Sequence, residues 1–493
     1  MEIKDLFGNV FAKTKPNYIK FLFIILLAGL FAHKYYNGMI LDGILYSAIA
    51  KTMASTNNFL IPSFSNFYPV FFDHPPLFFW ITALLFKVFG TTSFVARLFP
   101  MLCSAGLLIL IYRFIKKHIN ETAAYFSVLI LVLNGMYLKY SSSPMIDLPL
   151  LLIVISYYML FVSSIVKKEY SSQVWLGVLL GLGLLLKGPI VLGILFASVF
   201  YALISKNKEA VLNRFFIYHL VIGFVIPFVW IIPLAYKHWD LFYNTYLMGQ
   251  LKASVSGQRG DAQRTPIGFT LFLLQTMTIW AIPFIYGVYR FFKDRDKNHI
   301  VYFAFICFLF FFCPLAFLKI RKTPQLLIYS LPFFSVIAAY GVNKLISEKV
   351  GNVIINFCYY SLGVYLIVLL LFPIQIRSWR DKEIFYFGDL IKQTSTGTFD
   401  YYLYDNTAYN SMYQYYFHPN NYFYYDVMSY TANGSEIRAL FAKPKPVFVN
   451  IYSAQMSEFQ SKLAGLPYYP MASCHGFVLV SNQFIINKAL TCY

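Results

Sequence analysis

The chain of 493 residues is 59% hydrophobic and only 12% charged, where a soluble domain carries about 25% charge. No soluble core absorbs that much apolar surface, so lipid must take it. The net charge of +19 then speaks less for nucleic acid than for loop lysines that set membrane topology and cations that hold an anionic ligand.

Lys4, Lys13, Lys15 and Lys20 precede an apolar run over 21–36 with no small-residue cleavage site behind it. This predicts a first membrane helix entered from the cytoplasm rather than a removed signal. Further apolar runs follow at 77–90, 95–113, 122–139, 145–166, 173–186, 188–204, 215–235, 267–290, 299–319, 324–345 and 352–373. A span needs about 20 apolar residues, which makes 77–90 short.

Loop charge decides its placement. Basic clusters lie at Lys116-Lys117, Lys167-Lys168, Lys206/Lys208/Arg214, Arg290/Lys293/Arg295/Lys297 and Lys344/Lys349. If 77–90 does not cross, all of them share the side of the N-terminal lysines, as the positive-inside rule favours. The expectation is therefore a polytopic α-helical membrane protein of about 11 spans, with 77–90 juxtamembrane or re-entrant. The far side then receives a long first loop at 37–94, a turn at 141–147, a loop at 237–266 and the whole tail after Pro373.

Two domains are expected: residues 1–376 in the membrane and 377–493 as a small α+β domain outside it. The strand signals in the tail are Pro446 to Tyr452 (PVFVNIY) and Gly476 to Val480 (GFVLV). The six cysteines have no zinc spacing. Cys103, Cys307, Cys313 and Cys358 read as core residues, whereas Cys474 and Cys492 are placed to form one disulfide if the tail lies in an oxidising compartment.

The far side also collects the ionisable residues. Asp42, just past the first span and followed by Tyr46, reads either as a general base or as the cap of a helix running to about Met53. Asp73-His74-Pro75-Pro76-Leu77 fixes a turn that aims Asp73 and His74 at one point, suiting phosphate contact or a divalent metal on Asp73, or else simple capping. Asp147 heads an apolar span, where ionisable residues are costly and usually functional; the alternative is again a cap. Lys187-Gly188-Pro189 breaks two closely spaced spans, as a phosphate-binding lysine or one snorkelling to the interface. Arg259 and Arg264 in the 237–266 loop are candidate phosphate clamps, in a loop otherwise readable as solvated. Arg321-Lys322 opens the 324–345 run with two more cations on the far side. Carboxylates and cations gathered at one membrane face suit group transfer from a lipid phosphate, with a base activating the acceptor and cations stabilising the leaving phosphate.

From about Met39 to Pro332 the motifs fall in a recognisable order: Asp42-Gly43-Ile44-Leu45-Tyr46, Asp73-His74-Pro75-Pro76-Leu77, Ala96-Arg97-Leu98, Asp147-Leu148-Pro149, Leu186-Lys187-Gly188-Pro189 and Leu331-Pro332. In this the chain resembles the protein O-mannosyltransferase superfamily of membrane glycosyltransferases with the GT-C fold, and within it the bacterial aminoarabinose transferases that modify lipid A. The sequence departs from that pattern at Gly43, where the family usually has glutamate, and at Gly249-Gln250, where the lipid A enzymes carry Glu-His.

The resemblance implies an inverting glycosyltransferase of the bacterial inner membrane. The donor would be a polyprenyl-phosphate sugar, such as undecaprenyl phosphate, and the acceptor lipid A or another envelope glycan. Asp42 would be the catalytic carboxylate and Asp147 would lie near the same cavity. Lys187, with an arginine of the 237–266 loop, would bind the donor phosphate. A protein O-mannosyltransferase-like enzyme is the alternative within the class. A lipid-linked-sugar flippase is the alternative outside it, and would place its charges deep in mid-span rather than at one face.

Overall fold

The computed structural model describes residues 41–63, 70–141, 143–252, 265–294, 298–317, 324–371, 386–387, 390–391, 399–404 and 434–484. The described residues form two compact units. One is helical, taken from Phe72–Phe78 and Arg97–Ile374. The other joins the described parts of Lys34–Phe71, Phe79–Ala96 and Gln375–Tyr493. The expected first membrane helix at 21–36 lies outside the described residues.

The helices in chain order are α1 (Leu41–Thr56), α2 (Leu77–Phe89), α3 (Ser93–His118), α4 (Glu121–Val132), α5 (Gly135–Ser141), α6 (Asp147–Lys167), α7 (Val174–Lys187), α8 (Leu192–Ile204), α9 (Arg214–Val225) and α10 (Phe228–Lys237). A π-helix, Phe242–Lys252, comes next. Then follow α11 (Pro266–Met277), α12 (Ala281–Lys293), α13 (His299–Phe317), α14 (Leu331–Leu345) and α15 (Glu348–Leu371).

Among the described residues four helical stretches are long and apolar enough to cross a bilayer: Phe94–His118, Asp147–Lys167, Arg214–Lys237 and His299–Phe317. The number is six if the bent pairs α4–α5 and α11–α12 each count as one span. The 13 residues of α2 extend about 20 Å at 1.5 Å per residue, short of a hydrocarbon core of about 30 Å.

Short polar signals set the breaks. Asn120 caps α4, its side chain accepting from Ala123 N at 2.8 Å. Asn134 stops the same apolar run, accepting from Met136 N and Tyr137 N at 3.1 and 3.2 Å while its amide donates to Thr276 O at 2.9 Å. A capping residue inside an apolar stretch starts a new helix in a new direction, and α4 and α5 meet at 74°. Asn213 caps α9 through Phe215 N and Phe216 N.

The crossing of α12 and α14 is too close for any side chain at two positions. A Cβ on Gly341 of α14 would stand 1.9 Å from Pro283 O of α12, and one on Gly287 2.5 Å from Ile337 O. Small residues at such crossings let helices associate in lipid, where no hydrophobic force separates protein from solvent.

The C-terminal part carries β1 (Asp400–Leu403), α16 (Gly434–Phe441), β2 (Val447–Tyr452), α17 (Met456–Leu463), β3 (Tyr469–Cys474) and β4 (Phe477–Ser481). The sheet order is β1-β2-β4-β3. β1 runs parallel to β2 with Asp400 opposite Val447, and β4 is antiparallel to both β2 and β3. Both expected strands, in the 446–452 and 476–480 stretches, are therefore present. Tyr402, Tyr404, Val449, Ile451, Phe441 and Phe459 are among the residues of its buried core. Asn482 pins the entry to β2, accepting from Val447 N at 2.8 Å and donating to Lys443 O at 3.0 Å. Cys103, Cys307, Cys313 and Cys358 are free and Cys474 is disulfide-bonded; its expected partner Cys492 lies outside the described residues.

Candidate functional site

The helical unit gathers three of its polar side chains from segments distant in sequence. Lys187 is the last residue of α7, whose sequence is otherwise wholly apolar. Gly188 ends the helix at φ 77°, ψ −148°, a backbone region essentially closed to residues with a Cβ. Pro189 then opens the next turn. This break delivers a lysine where the apolar run would otherwise continue.

Asp147 lies in the first turn of α6. The cap position belongs to Ile146, which makes no side-chain cap bond. The carboxylate of Asp147 is spent differently: Oδ1 accepts from Lys187 Nζ at 2.7 Å and from the Tyr329 hydroxyl at 2.7 Å. The Lys187 ammonium also lies over the Tyr329 ring, 5.6 Å from its centroid. Tyr329 ends a 3₁₀ segment, Pro324–Tyr329, directly before α14.

The cluster is buried, with side-chain exposures of 8% for Lys187 and 1% for Asp147. Asp147 Oδ2 is likewise buried and has no hydrogen-bond partner among the described residues. The group is thus electrically neutral as a pair, with one acceptor oxygen unused. The capping alternative for Asp147 does not describe this geometry. Nor does a lysine snorkelling to water describe Lys187.

A second polar contact joins two other segments of the same unit. Gln250 Nε2, on the π-helix, donates to Asp73 Oδ1. Around it Phe72 packs edge-on against Trp230 and Tyr246, with centroids 5.8 and 6.3 Å apart, and Trp230 meets Tyr246 at 5.2 Å. Asp73 is exposed and His74 half-buried. The described residues contain no group of three or more His, Cys, Asp and Glu side chains. Asp73 is approached by the Gln250 amide.

In the other unit, Asp42 occupies the first turn of α1, where a carboxylate is favoured by the helix dipole. Tyr46 is buried and packs against Phe71 and Phe79, with centroids 6.3 and 5.7 Å away. Lys51, one turn further along α1, is 1% exposed, and burial pushes its ammonium down to about 7. Arg259, Arg264, Arg321 and Lys322 lie outside the described residues.

Sequence reasoning gave Tyr329, Gln250 and Lys51 no role of their own. For Lys51 a signal existed, since it is a lone cation in an otherwise apolar stretch (Leu45-Tyr46-Ser47-Ala48-Ile49-Ala50). For Gln250 the signal was its place in the Gly249-Gln250 departure, which said nothing of a partner standing 177 positions away.

Residues 73–233 match the family of dolichyl-phosphate-mannose-protein mannosyltransferases. An uncharacterized protein of Aquifex aeolicus is 23% identical over 334 residues, covering 66% of this chain and 64% of its own length. An undecaprenyl phosphate-alpha-4-amino-4-deoxy-L-arabinose arabinosyl transferase of Serratia proteamaculans is 25% identical over 234 residues, covering 45% of this chain. The match spans just under two thirds of the Aquifex protein and 41% of the Serratia enzyme. The crystal structure of ArnT from Cupriavidus metallidurans bound to undecaprenyl phosphate superposes with a TM-score of 0.70 at 14% identity, over 94% of this chain and 98% of that one. The chain thus shares its helical fold with that ArnT along nearly its whole length, and its residues 73–233 are similar to the mannosyltransferase family.

Proposed function

We propose that the chain moves one sugar from a polyprenyl-phosphate donor, such as undecaprenyl phosphate, to an acceptor at the outer face of the bacterial inner membrane. The acceptor is lipid A or another envelope glycan. The observation that carries this reading is the buried Asp147–Lys187–Tyr329 cluster, because a cation and an unused carboxylate oxygen held in an apolar interior suit an anionic, hydroxyl-bearing ligand.

In the transfer Asp42 takes the proton of the acceptor hydroxyl as its oxygen attacks the anomeric carbon from the face opposite the phosphate. The bond from that carbon to the phosphate oxygen breaks, and the configuration inverts. The electron pair leaves with the polyprenyl phosphate, whose added charge Lys187, Arg259, Arg264, Arg321 and Lys322 stabilise. His74 contacts the phosphate, and Asp73 and Tyr46 shape the site. Lys187 is already paired with Asp147, so donor binding shifts its ammonium from carboxylate towards phosphate, and the Tyr329 hydroxyl remains to hold Asp147.

The topology that goes with this reading has about 11 spans, the N-terminus in the cytoplasm and the tail in the periplasm. The loop lysines support it, and a disulfide at Cys474 suits an oxidising compartment. The match over 73–233 favours a second reading, a protein O-mannosyltransferase-like enzyme, which differs in acceptor and sugar but keeps the same site.

The deciding assay uses the full chain in lipid vesicles with radiolabelled polyprenyl-phosphate sugars, offered lipid A, envelope glycan or protein acceptors. Label moving into one acceptor class, with a fall of about 10² or more in the Asp42→Asn protein, supports the reading. Label that crosses the bilayer without changing its lipid carrier sinks it in favour of a flippase.

A further inference from the structure

The Asp73-His74-Pro75-Pro76 turn and the π-helix are separated by more than 160 positions, yet one side-chain hydrogen bond joins them. Its polarity is fixed. A carboxylate only accepts, so the Gln250 amide must present its nitrogen to Asp73, and this turns the amide oxygen away. That oxygen is buried and has no partner among the described residues. A glutamine free to choose would rotate to satisfy both ends, and leaving a buried acceptor empty is costly. The contact with Asp73 therefore outweighs the loss, as expected of a charge-assisted hydrogen bond.

The surroundings strengthen the point. Gln250 stands on an 11-residue π-helix, a conformation rare enough that it commonly marks functional positions. Phe72, Trp230 and Tyr246 bring the turn and the π-helix together through ring contacts. These edge-on ring contacts hold the two segments close together but leave the Asp73 carboxylate itself to a polar partner. The amide–carboxylate bond supplies the orientation. It holds the residue directly before His74, which the proposed function places on the donor phosphate.

We propose that Gln250 is a positioning residue: its amide clamps Asp73 and so sets the turn that presents His74 to the donor. Gln250 itself touches no substrate. The activity arm of this inference rests on the proposed transfer, whereas the clamp is tested without it.

The test compares the full-length wild type in lipid nanodiscs with Gln250→Glu, Asp73→Asn and the exchange Asp73→Asn/Gln250→Glu. Gln250→Glu sets carboxylate against carboxylate. The exchange restores a donor and an acceptor of the same size, with Asn now donating to Glu. Amide hydrogen exchange over 242–252 is expected to rise about tenfold in Gln250→Glu and to return to within about threefold of wild type in the double variant, tracking the single hydrogen bond lost and regained. The KM for the polyprenyl-phosphate sugar should rise and recover in parallel, with kcat moving less than about twofold.

Unchanged exchange in Gln250→Glu overturns the clamp. Exchange that recovers in the double variant while KM does not overturns the positioning role, because the Asp73 carboxylate then acts on the substrate itself. A wild type with no transfer activity, but with exchange that rises and recovers as stated, leaves the clamp standing and removes only the proposed function.

Discussion

Lys187 Nζ and Asp147 Oδ1 meet at 2.7 Å although 40 positions separate them, and both side chains are almost wholly out of solvent. Removing one partner strands the other's charge in an apolar interior, which costs about 3–5 kcal/mol. Lys187→Met is therefore expected to melt well below wild type in detergent. The double variant Lys187→Met/Asp147→Leu should regain most of that loss, since an apolar pair can replace a buried ion pair, but it should transfer no sugar. Thermal melts and the transfer assay, read on the same preparations, separate the two effects.

Tyr329 contributes two things to the cluster, a hydroxyl for Asp147 and a ring for Lys187. Tyr329→Phe removes the first and keeps the second. The stability loss should stay at about 1.5–3 kcal/mol, the range of a single hydrogen bond to a charged group. Transfer should fall more than stability does, because Asp147 then depends on Lys187 alone at the moment the lysine is drawn towards phosphate. If transfer and melting temperature are both untouched, the hydroxyl has no role in holding Asp147.

Burial lowers Lys51 from 10.5 to about 7, which ties stability to pH. Between these values the unfolded chain binds more protons than the folded one, so stability rises with pH from about 7 to about 10.5. Below about 7 both forms are protonated, the slope vanishes and the penalty is fully present. Lys51→Met should abolish the rise, and should raise the melting temperature more at pH 6 than at pH 10. The gain at low pH amounts to a few kcal/mol. Melts across that range in one detergent decide it.

The crossing of α12 and α14 admits no side chain at Gly341, where a Cβ would fall 1.9 Å from Pro283 O. Gly341→Ala must push two backbones apart and is expected to cost more than the about 1–3 kcal/mol typical of overpacking. Gly135→Ala is the control: no atom lies within 4 Å of its Cβ, and alanine suits a helix better than glycine. Equal yields and equal melts for the two variants would show that the helices do not cross this closely.

The helix limits were largely legible in the sequence. Apolar runs expected at 145–166 and 299–319 appear as Asp147–Lys167 and His299–Phe317, because hydropathy is what makes a helix choose lipid. The runs at 122–139 and 267–290 were read as unbroken, whereas each is delivered as two short helices. At the first of them the turn is set by Asn134, whose capping bonds to Met136 N and Tyr137 N are local. The side chain also donates to Thr276 O, and that long-range partner is invisible in the local sequence. The same limit applied to the candidate site. Asp147, Lys187 and the Tyr329 stretch were each noticed, but as separate contributors. That Lys187 is neutralised by Asp147 depends on where α6, α7 and the Pro324–Tyr329 segment meet, which no local pattern encodes. Lys51 was passed over because a single cation at the end of a short apolar stretch normally reaches water, and its burial is a matter of tertiary packing.

The sheet order β1-β2-β4-β3 places the last of the described strands between two earlier ones. β2 and β3 share no edge until β4 arrives to separate and bond them. During synthesis the segment up to Cys474 therefore has only the parallel β1–β2 pair available, and β2 and β3 stay without the strand that joins them. The domain closes only when the residues through Ser481 have been delivered. Its folding is thus a late event, and a ribosome stalled or a chain cut a few residues before Phe477 would leave open strand edges exposed to pairing with other chains.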